Sequence, residues 1–231
     1  MVRGRISLMR RLGRCPMARL PLARFPANPT ANEGARMESE AIAIEPARTA
    51  LVVIDMQNFT VAMDTAPSPA RQVLDHCASL ARACREAGVL VVLVRVGHAD
   101  NAMPQPDVPS ETSFAGGFVL TDEMREIAPE LGPEDGDVIV DKYNWGAFHG
   151  TNLDAHLRRR GIDTLLMTGL VTHIGVDTTM REAYAHGYAQ ILVTDAAAAM
   201  TVAQHDFVLE DIAPRLSRLR TTKQVLGYLK A

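Results

Sequence analysis

Uninterrupted runs of apolar residues recur along the chain from about residue 48 onward. They cover residues 50–54, 89–94, 138–140, 164–167, 191–193 and, more weakly, 216–219. A strand covered by helices on both sides of a parallel sheet is apolar on both faces, so it gives a continuous run instead of an alternation. The pattern therefore predicts six buried strands in a mostly parallel sheet.

Segments with a helical spacing of apolar residues lie between these runs. Pro67 and Pro69 open the first, which ends at Gly88, a residue type that commonly ends helices. The others cover residues 152–160, 176–186, 201–212 and 222–229, and the segment ending at residue 212 is expected to stop before Pro214. Alternating strands and helices predict an α/β fold of three α/β/α layers, with a doubly wound six-stranded sheet and right-handed crossovers.

Residues 1–45 differ from the rest of the chain in composition. Residues 1–36 hold eight arginines and one acidic residue, Glu33, which gives them a net charge of +7. This leader could be a targeting peptide, a disordered basic arm, or sequence upstream of a true start at Met37. We favour the last of these, and we predict one folded domain over residues 46–231.

The overall composition argues against several classes of function for the predicted domain. The chain of 231 residues carries a net charge of −3, so the part after residue 36 carries −10, which argues against nucleic-acid binding. The sequence has no run of about 20 apolar residues that could span a membrane. Cys77 and Cys84 are too far apart on their predicted helix to form a disulfide, which fits a reducing compartment and predicts a cytoplasmic protein.

Two ionisable residues lie just after predicted strands. Asp55 directly follows the first apolar run, and Lys142 comes shortly after the third. The carboxyl ends of parallel strands meet at one edge of the sheet, so these side chains and the turn from Gly169 to Gly175 are expected to converge there. A carboxylate beside a core is partly desolvated and can transfer protons, and a lysine can stabilise an anion near it.

Plainer structural roles remain open for the same residues. Asp55 could cap the next turn, Lys142 could pair with Asp141, and Gln57 could either orient Asp55 or cap a helix. The glycine-rich turn could be an anion cradle of backbone N–H groups, or an ordinary tight connection between a strand and a helix.

Aromatic residues and histidines complete the candidate chemistry. Trp145 and Phe148 follow Lys142 and indicate a folded wall beside it, with core packing as the default role of the tryptophan. His98 and Asp100 could belong to a metal site, but two ligands are too few to predict one. We therefore expect neither a metal nor a cofactor. Three further histidines could be ligands or bases but are more often structural on such folds: His149, His173 and His205.

The motifs around Asp55, Lys142 and Gly175 resemble those of the isochorismatase-like hydrolases, also called the cysteine hydrolase superfamily. The similar segments are residues 50–57, 141–153 and 168–188, and the resemblance covers about residues 48–229. It implies a hydrolase that acts on a small molecule and forms a homodimer or tetramer. It also implies a cis peptide bond between Leu170 and Val171.

The resemblance assigns three catalytic positions, with Asp55 as the acid, Lys142 as its electrostatic partner and Gly175 in the turn. The substrate is expected to contact six further residues: Gln57, Trp145, Phe148, Leu170, Val171 and Thr172. Most members of the superfamily carry a cysteine nucleophile where this chain has Gly175, so the chain resembles a cysteine-less branch. True isochorismatases also have glycine at this position.

Three functions follow as hypotheses. The first is hydrolysis of a vinyl ether, in which Asp55 protonates the substrate and water adds, so that no cysteine is needed. The second is a catalytically silent member that binds a metabolite or a partner protein. The third is a metal-assisted amidase that uses His98 and Asp100.

Overall fold

The computed structural model of the chain describes residues 42–97, 109, 111 and 121–230. Within these residues one sheet has the strand order β3-β2-β1-β4-β5-β6, and every neighbouring pair is parallel. The strands are β1 (Thr49–Ile54), β2 (Leu90–Val96), β3 (Val138–Lys142), β4 (Thr164–Leu170), β5 (Ala189–Ala198) and β6 (Arg218–Arg220). The predicted α/β fold is confirmed, and the sheet is parallel throughout these six strands.

Helices cover both faces of the sheet. They are α1 (Asn58–Val61), α2 (Ala70–Ala87), α3 (Asp122–Arg125), α4 (Leu153–Arg159), α5 (Asp177–Ala185), α6 (Val202–Phe207), α7 (Ala213–Leu216) and α8 (Thr222–Tyr228). Strand β1 shows how the layers form. Leu51 and Val53 pack with α2 and α8 on one face, whereas Ala50, Val52 and Ile54 pack with α4 and α5 on the other.

The longest helix, α2, follows the predicted boundaries closely. Its buried residues recur three or four positions apart, as in an amphipathic helix that presents one stripe to the core. The helix ends at Gly88, whose φ of 76° lies in the left-handed region that glycine adopts without steric cost. The prediction that Gly88 ends this helix is confirmed.

Two predicted boundaries near the end of the chain were wrong. The helix predicted over residues 201–212 is α6 followed by a π turn, Val208–Ile212, and then α7. Pro214 lies in the first turn of α7, where its missing N–H group costs no hydrogen bond within α7, so α7 can contain it. Leu216, predicted to begin the last strand, therefore ends α7, and β6 starts at Arg218.

The strand order places the site. Chain connections leave β1 towards β2 on one side, whereas β4 lies on the other side of β1, so the direction of winding reverses between β1 and β4. In doubly wound sheets the crevice at the carboxyl end of such a reversal is where ligands bind. Asp55 directly follows β1, and the turn Thr172–Val176 follows β4.

Candidate active site

Asp55 and Lys142 meet at the carboxyl edge of the sheet. Lys142 ends β3 and reaches past β2, so that its Nζ lies 2.7 Å from Oδ2 of Asp55. Nζ also donates a hydrogen bond of 2.7 Å to the backbone carbonyl of Trp145. Because the lysine is only 2% exposed, its ammonium depends on these two oxygens in place of water.

The backbone aims Asp55 into the site. Its φ of 52° is left-handed, a conformation that aspartate tolerates better than most residues, and it turns the chain at the strand end. The N–H group of Asp55 donates to Val94 at 2.9 Å, and its carbonyl accepts a hydrogen bond from the Thr60 hydroxyl. These bonds fix the residue from both sides.

The carboxyl group of Asp55 is asymmetric in its contacts. Oδ2 holds Lys142, whereas Oδ1 is buried and has no hydrogen-bond partner among the described residues. Burial raises the pKa of Asp55, and the charge and hydrogen bond of Lys142 lower it in part. The balance favours a carboxyl group that keeps its proton to a higher pH than an exposed aspartate.

Gly175 lies against this pair. It belongs to the π turn Thr172–Val176, and a Cβ atom added to it would lie 3.1 Å from Oδ2 of Asp55 and 3.2 Å from Nζ of Lys142. Gly169 has a different role, since a Cβ atom there would lie 2.1 Å from the carbonyl oxygen of Ile54. Glycine at 169 thus permits the close approach of β4 to β1, and glycine at 175 leaves space for the Asp55–Lys142 pair.

The peptide bond between Leu170 and Val171 is cis, which confirms the expectation drawn from the resemblance. Leu170 is buried in the core, and Val171 is partly exposed at the start of the turn. Thr172 is fully buried, and its hydroxyl lies 2.9 Å from Nδ1 of His205 on α6. Contact of these three turn residues with a substrate stays a prediction.

Gln57 is fully engaged with the backbone. Its Nε2 donates to the carbonyls of Val96 and Arg125, at 3.1 and 2.5 Å, and its Oε1 accepts from Val96 N–H at 2.8 Å. The side chain therefore joins the end of β2 to α3. Its predicted contact with substrate stays a prediction, and the geometry gives it a clear structural role as well.

The two aromatic residues differ from each other in burial. Trp145 is 57% exposed, so the expectation that it packs in the core was wrong; its contribution to the site is its backbone carbonyl. Phe148 is buried and stacks on His186 at 5.0 Å between ring centroids, with Tyr188 at 5.6 Å. Binding of substrate by either aromatic ring stays a prediction.

The described cysteines lie on the other face of the sheet from Gly175. Cys77 and Cys84 belong to α2 and pack with Leu51, whereas Val176, the neighbour of Gly175, packs with Ile54. Burial raises the pKa of each thiol to about 12, so both stay protonated at neutral pH. Neither thiol is placed to replace a nucleophile at position 175.

Neither a metal-binding group of side chains nor a membrane-spanning helix is present in the part of the chain that the structure describes. That part of the chain contains no group of three or more histidine, cysteine or acidic residues placed to hold a metal ion together. His98 and Asp100, the two candidate ligands from the sequence, lie outside the described residues. Across residues 42–97 and 121–230, no helix is both long and apolar enough to cross a bilayer.

Two contributors to this site were missed by sequence reasoning, both on α5. Thr179 bonds to Gly175 and to the loop after β3, and Glu182 accepts a hydrogen bond from Phe148 N–H in that loop. A threonine on a helix commonly donates to the carbonyl four residues earlier, so the bond from Thr179 to Gly175 could have been predicted from the sequence. The bonds from Ala147 to Thr179 and from Phe148 to Glu182 depend on the tertiary fold and could not.

The described residues form a doubly wound parallel α/β sheet with a buried acid–lysine pair at its switch point, where folds of this class carry their functional groups. The chain belongs to the isochorismatase family, because the model of the isochorismatase domain matches residues 49–224.

Individual relatives agree with this membership. The chain is 39% identical over 186 residues to the uncharacterized isochorismatase family protein YwoC of Bacillus subtilis, covering 79% of this chain and 95% of that one. It is 32% identical over 192 residues to an isochorismatase of the same organism, covering 80% of this chain and 59% of that one. A solved isochorismatase family protein from Burkholderia thailandensis is 34% identical, with a TM-score of 0.78 and coverage of 83% and 100%.

Proposed function

We propose that this protein is an isochorismatase-family hydrolase that cleaves a vinyl ether in a small metabolite without a cysteine nucleophile. Asp55 is the general acid, Lys142 is its electrostatic partner, and Gly175 leaves the space in which they meet. The protein would then belong to a cysteine-less branch of the family.

The proposal depends on one observation, which is that the two carboxyl oxygens of Asp55 have different surroundings. One oxygen is anchored to Lys142 at 2.7 Å, and the other is buried without a partner among the described residues. A buried polar atom normally has a hydrogen-bond partner, so an unpartnered one at a sheet switch point is suited to meet a substrate. Burial also raises the pKa of this group, as a proton donor near neutral pH requires.

The reaction needs few protein groups. Asp55 transfers its proton to the terminal carbon of the enol ether, and the carbon that bears the ether oxygen becomes an oxocarbenium ion. Water adds to that carbon and gives a proton to the Asp55 carboxylate, and the resulting hemiketal breaks into a ketone and an alcohol. Lys142 stabilises the carboxylate while the proton is away, because its ammonium stays in contact with Oδ2.

Gly175 supports this route over an acyl-enzyme. An amidase of this superfamily needs a thiol at position 175, and the described cysteines are buried on the opposite face of the sheet. Protonation followed by addition of water requires no side chain at that position.

The positively charged residues available near Asp55 and Lys142 limit how much negative charge a substrate can carry. Arg95 is the second-last residue of β2, and its guanidinium is bound to Asp141 at 2.5 Å, so it is not available as an anchor for a substrate carboxylate. The segment between Gly97 and Thr121 contains no lysine or arginine. We therefore expect a substrate with less negative charge than isochorismate, which carries two carboxylates.

The test is an assay of a panel of enol ethers and small amides with the wild type and with Asp55→Asn. Loss of the general acid is expected to lower the rate on an enol ether by about 10²–10⁴-fold. Asp64→Asn is the matched control, since Asp64 is exposed and the same chemical change there should leave the rate unaltered. Equal rates for wild type and Asp55→Asn would remove Asp55 from the mechanism.

The silent-member hypothesis makes a different prediction in the same experiments. A compound that raises the unfolding temperature of the wild type, with no turnover of any member of the panel, would favour a protein that only binds its metabolite. The absence of a cysteine at position 175 is the feature that favours this alternative.

A further inference from the structure

We propose that Thr179 is a positioning residue for this site, because it ties the loop that holds Lys142 to the turn that carries Gly175. The inference rests on the proposed function of Asp55 and Lys142 as the reacting pair. It adds a residue that touches neither of them directly.

Thr179 uses both hydrogen-bonding capacities of its hydroxyl. The side chain is fully buried on α5; its Oγ1 donates to the carbonyl of Gly175 at 2.6 Å and accepts from the N–H of Ala147 at 3.2 Å. One buried oxygen therefore joins the turn after β4 to the loop after β3. Ala147 and Thr179 are 32 residues apart in sequence.

The loop contains the carbonyl that anchors Lys142. Trp145 supplies this oxygen, yet its ring is 57% exposed, so burial of the ring does not hold the carbonyl in place. Phe148 fixes the far end of the loop by packing in the core. Ala147, between Trp145 and Phe148, is buried in the same core, and its bond to Thr179 is one of the contacts that hold the loop against α5.

Glu182 holds the same loop one helical turn later. Its Oε2 accepts from the N–H of Phe148 at 2.9 Å, and a Cβ atom at Gly146 would lie 2.2 Å from that oxygen. Glycine at 146 thus allows the carboxylate to lie against the backbone. Glu182 contacts the loop, whereas Thr179 contacts both the loop and the Gly175 turn.

The consequence is a closed set of contacts around the acid. Lys142 donates to the carbonyl of Trp145, and Ala147 in the same loop donates to the Thr179 hydroxyl. The Thr179 hydroxyl in turn donates to the carbonyl of Gly175. The backbone of Gly175 in turn lies beside the Asp55–Lys142 pair. Removing the Thr179 hydroxyl should let Nζ of Lys142 move away from Oδ2 of Asp55. The proton affinity of Asp55 would then change although Asp55 itself is not substituted.

The first arm of the test measures the titration of Asp55 by ¹³C NMR of its carboxyl carbon, assigned by comparison with Asp55→Asn. Lys142 is the charged residue that opposes the effect of burial on Asp55. Thr179→Val keeps the shape of the side chain but removes the hydroxyl, and it is expected to raise the midpoint by about one pH unit. Thr179→Ser keeps the hydroxyl and is expected to restore the wild-type midpoint.

Thr151→Val is the matched control. The Thr151 hydroxyl donates to the carbonyl of Ala147 at 2.6 Å and accepts from Leu153 N–H at 3.1 Å, so it contacts the same loop but makes no bond to α5. This variant should lose stability and leave the Asp55 midpoint unchanged. Thr179→Ala is a second variant without the hydroxyl, and it takes the place of Thr179→Val if that protein does not fold.

The two arms separate this inference from the proposed function. In the second arm, kcat/KM on an enol ether turned over by the wild type should fall about tenfold in Thr179→Val and recover in Thr179→Ser. If the wild type turns over no enol ether, the proposed function fails while the NMR titration still tests Thr179. An unchanged midpoint in Thr179→Val, or an equal shift in Thr151→Val, would overturn the positioning role.

Discussion

A Cβ atom on Gly175 would lie 3.1 Å from Oδ2 of Asp55, closer than about nine in ten contacts that real Cβ atoms make. Nζ of Lys142 lies almost as near, at 3.2 Å from the same point. The acid–lysine pair thus occupies the space that a side chain at position 175 would need. The identity of residue 175 and the geometry of the pair are coupled, and several predictions depend on that coupling.

Gly175→Ala should impair the site while leaving the fold intact. The methyl group forces the pair to move by a few tenths of an ångström, and misplacement of reacting groups on this scale is expected to lower kcat/KM by about tenfold. Gly227→Ala is the matched control, because Gly227 lies in α8 with nothing within 4 Å of its added Cβ atom. The control should keep full activity, and it should stabilise the protein by about 0.5–1 kcal/mol through helix propensity.

Gly175→Cys should give the protein a slow amidase activity. The introduced thiol would lie beside Asp55, which can accept its proton, and beside the Lys142 ammonium, which favours the thiolate. Hydrolysis of small amides by this variant, measured against wild type and against Gly175→Cys combined with Asp55→Asn, checks the prediction. Equal amidase rates in the single and double variants would show that Asp55 does not activate the thiol.

Lys142→Met should move the pH profile of the hydrolase and lower its maximum. The general acid acts while protonated, so kcat/KM is expected to fall as pH rises through the pKa of Asp55. Lys142 lowers that pKa, and its removal should therefore carry the falling limb to higher pH. Loss of the ammonium also removes the stabilisation of the carboxylate, so the plateau should drop by about 10–100-fold. A limb that moves to lower pH would contradict this assignment.

Gln57→Met tests whether the side chain is structural or contacts substrate. Methionine matches glutamine in length but leaves Val96 N–H and two carbonyls without their partner. We expect a loss of about 1–3 kcal/mol in the free energy of unfolding, measured with urea, and little change in KM. A raised KM with unchanged stability would instead favour the predicted contact with substrate.

Topology rules were sufficient to bring Asp55 and Lys142 to one edge of the sheet, because each lies at the end of a buried apolar run. The exposure of Trp145 was not predictable in this way, since a lone tryptophan in a loop carries no periodicity that reports burial. The bond between Ala147 and Thr179 joins segments whose proximity follows only from the packing of α5 against the sheet. Local patterns therefore predicted the strand ends, and the contacts that hold the loops in place required the structure.

His205 offers a prediction about stability and pH. Its Nδ1 contacts the Thr172 hydroxyl at 2.9 Å, and burial lowers its pKa, so the folded protein favours the neutral ring. The stability this contributes is fully present above the unfolded pKa of about 6.5, and it is lost as pH falls towards the lower folded value.

His205→Asn keeps an acceptor for Thr172 and removes the titration. In urea unfolding at pH 7, 6 and 5, the stability advantage of the wild type over this variant should shrink as the pH falls. Comparing the two proteins cancels the effect of the other histidines, which titrate in both. A difference that stays constant or grows towards pH 5 would mean that the folded state does not select the neutral ring at this position.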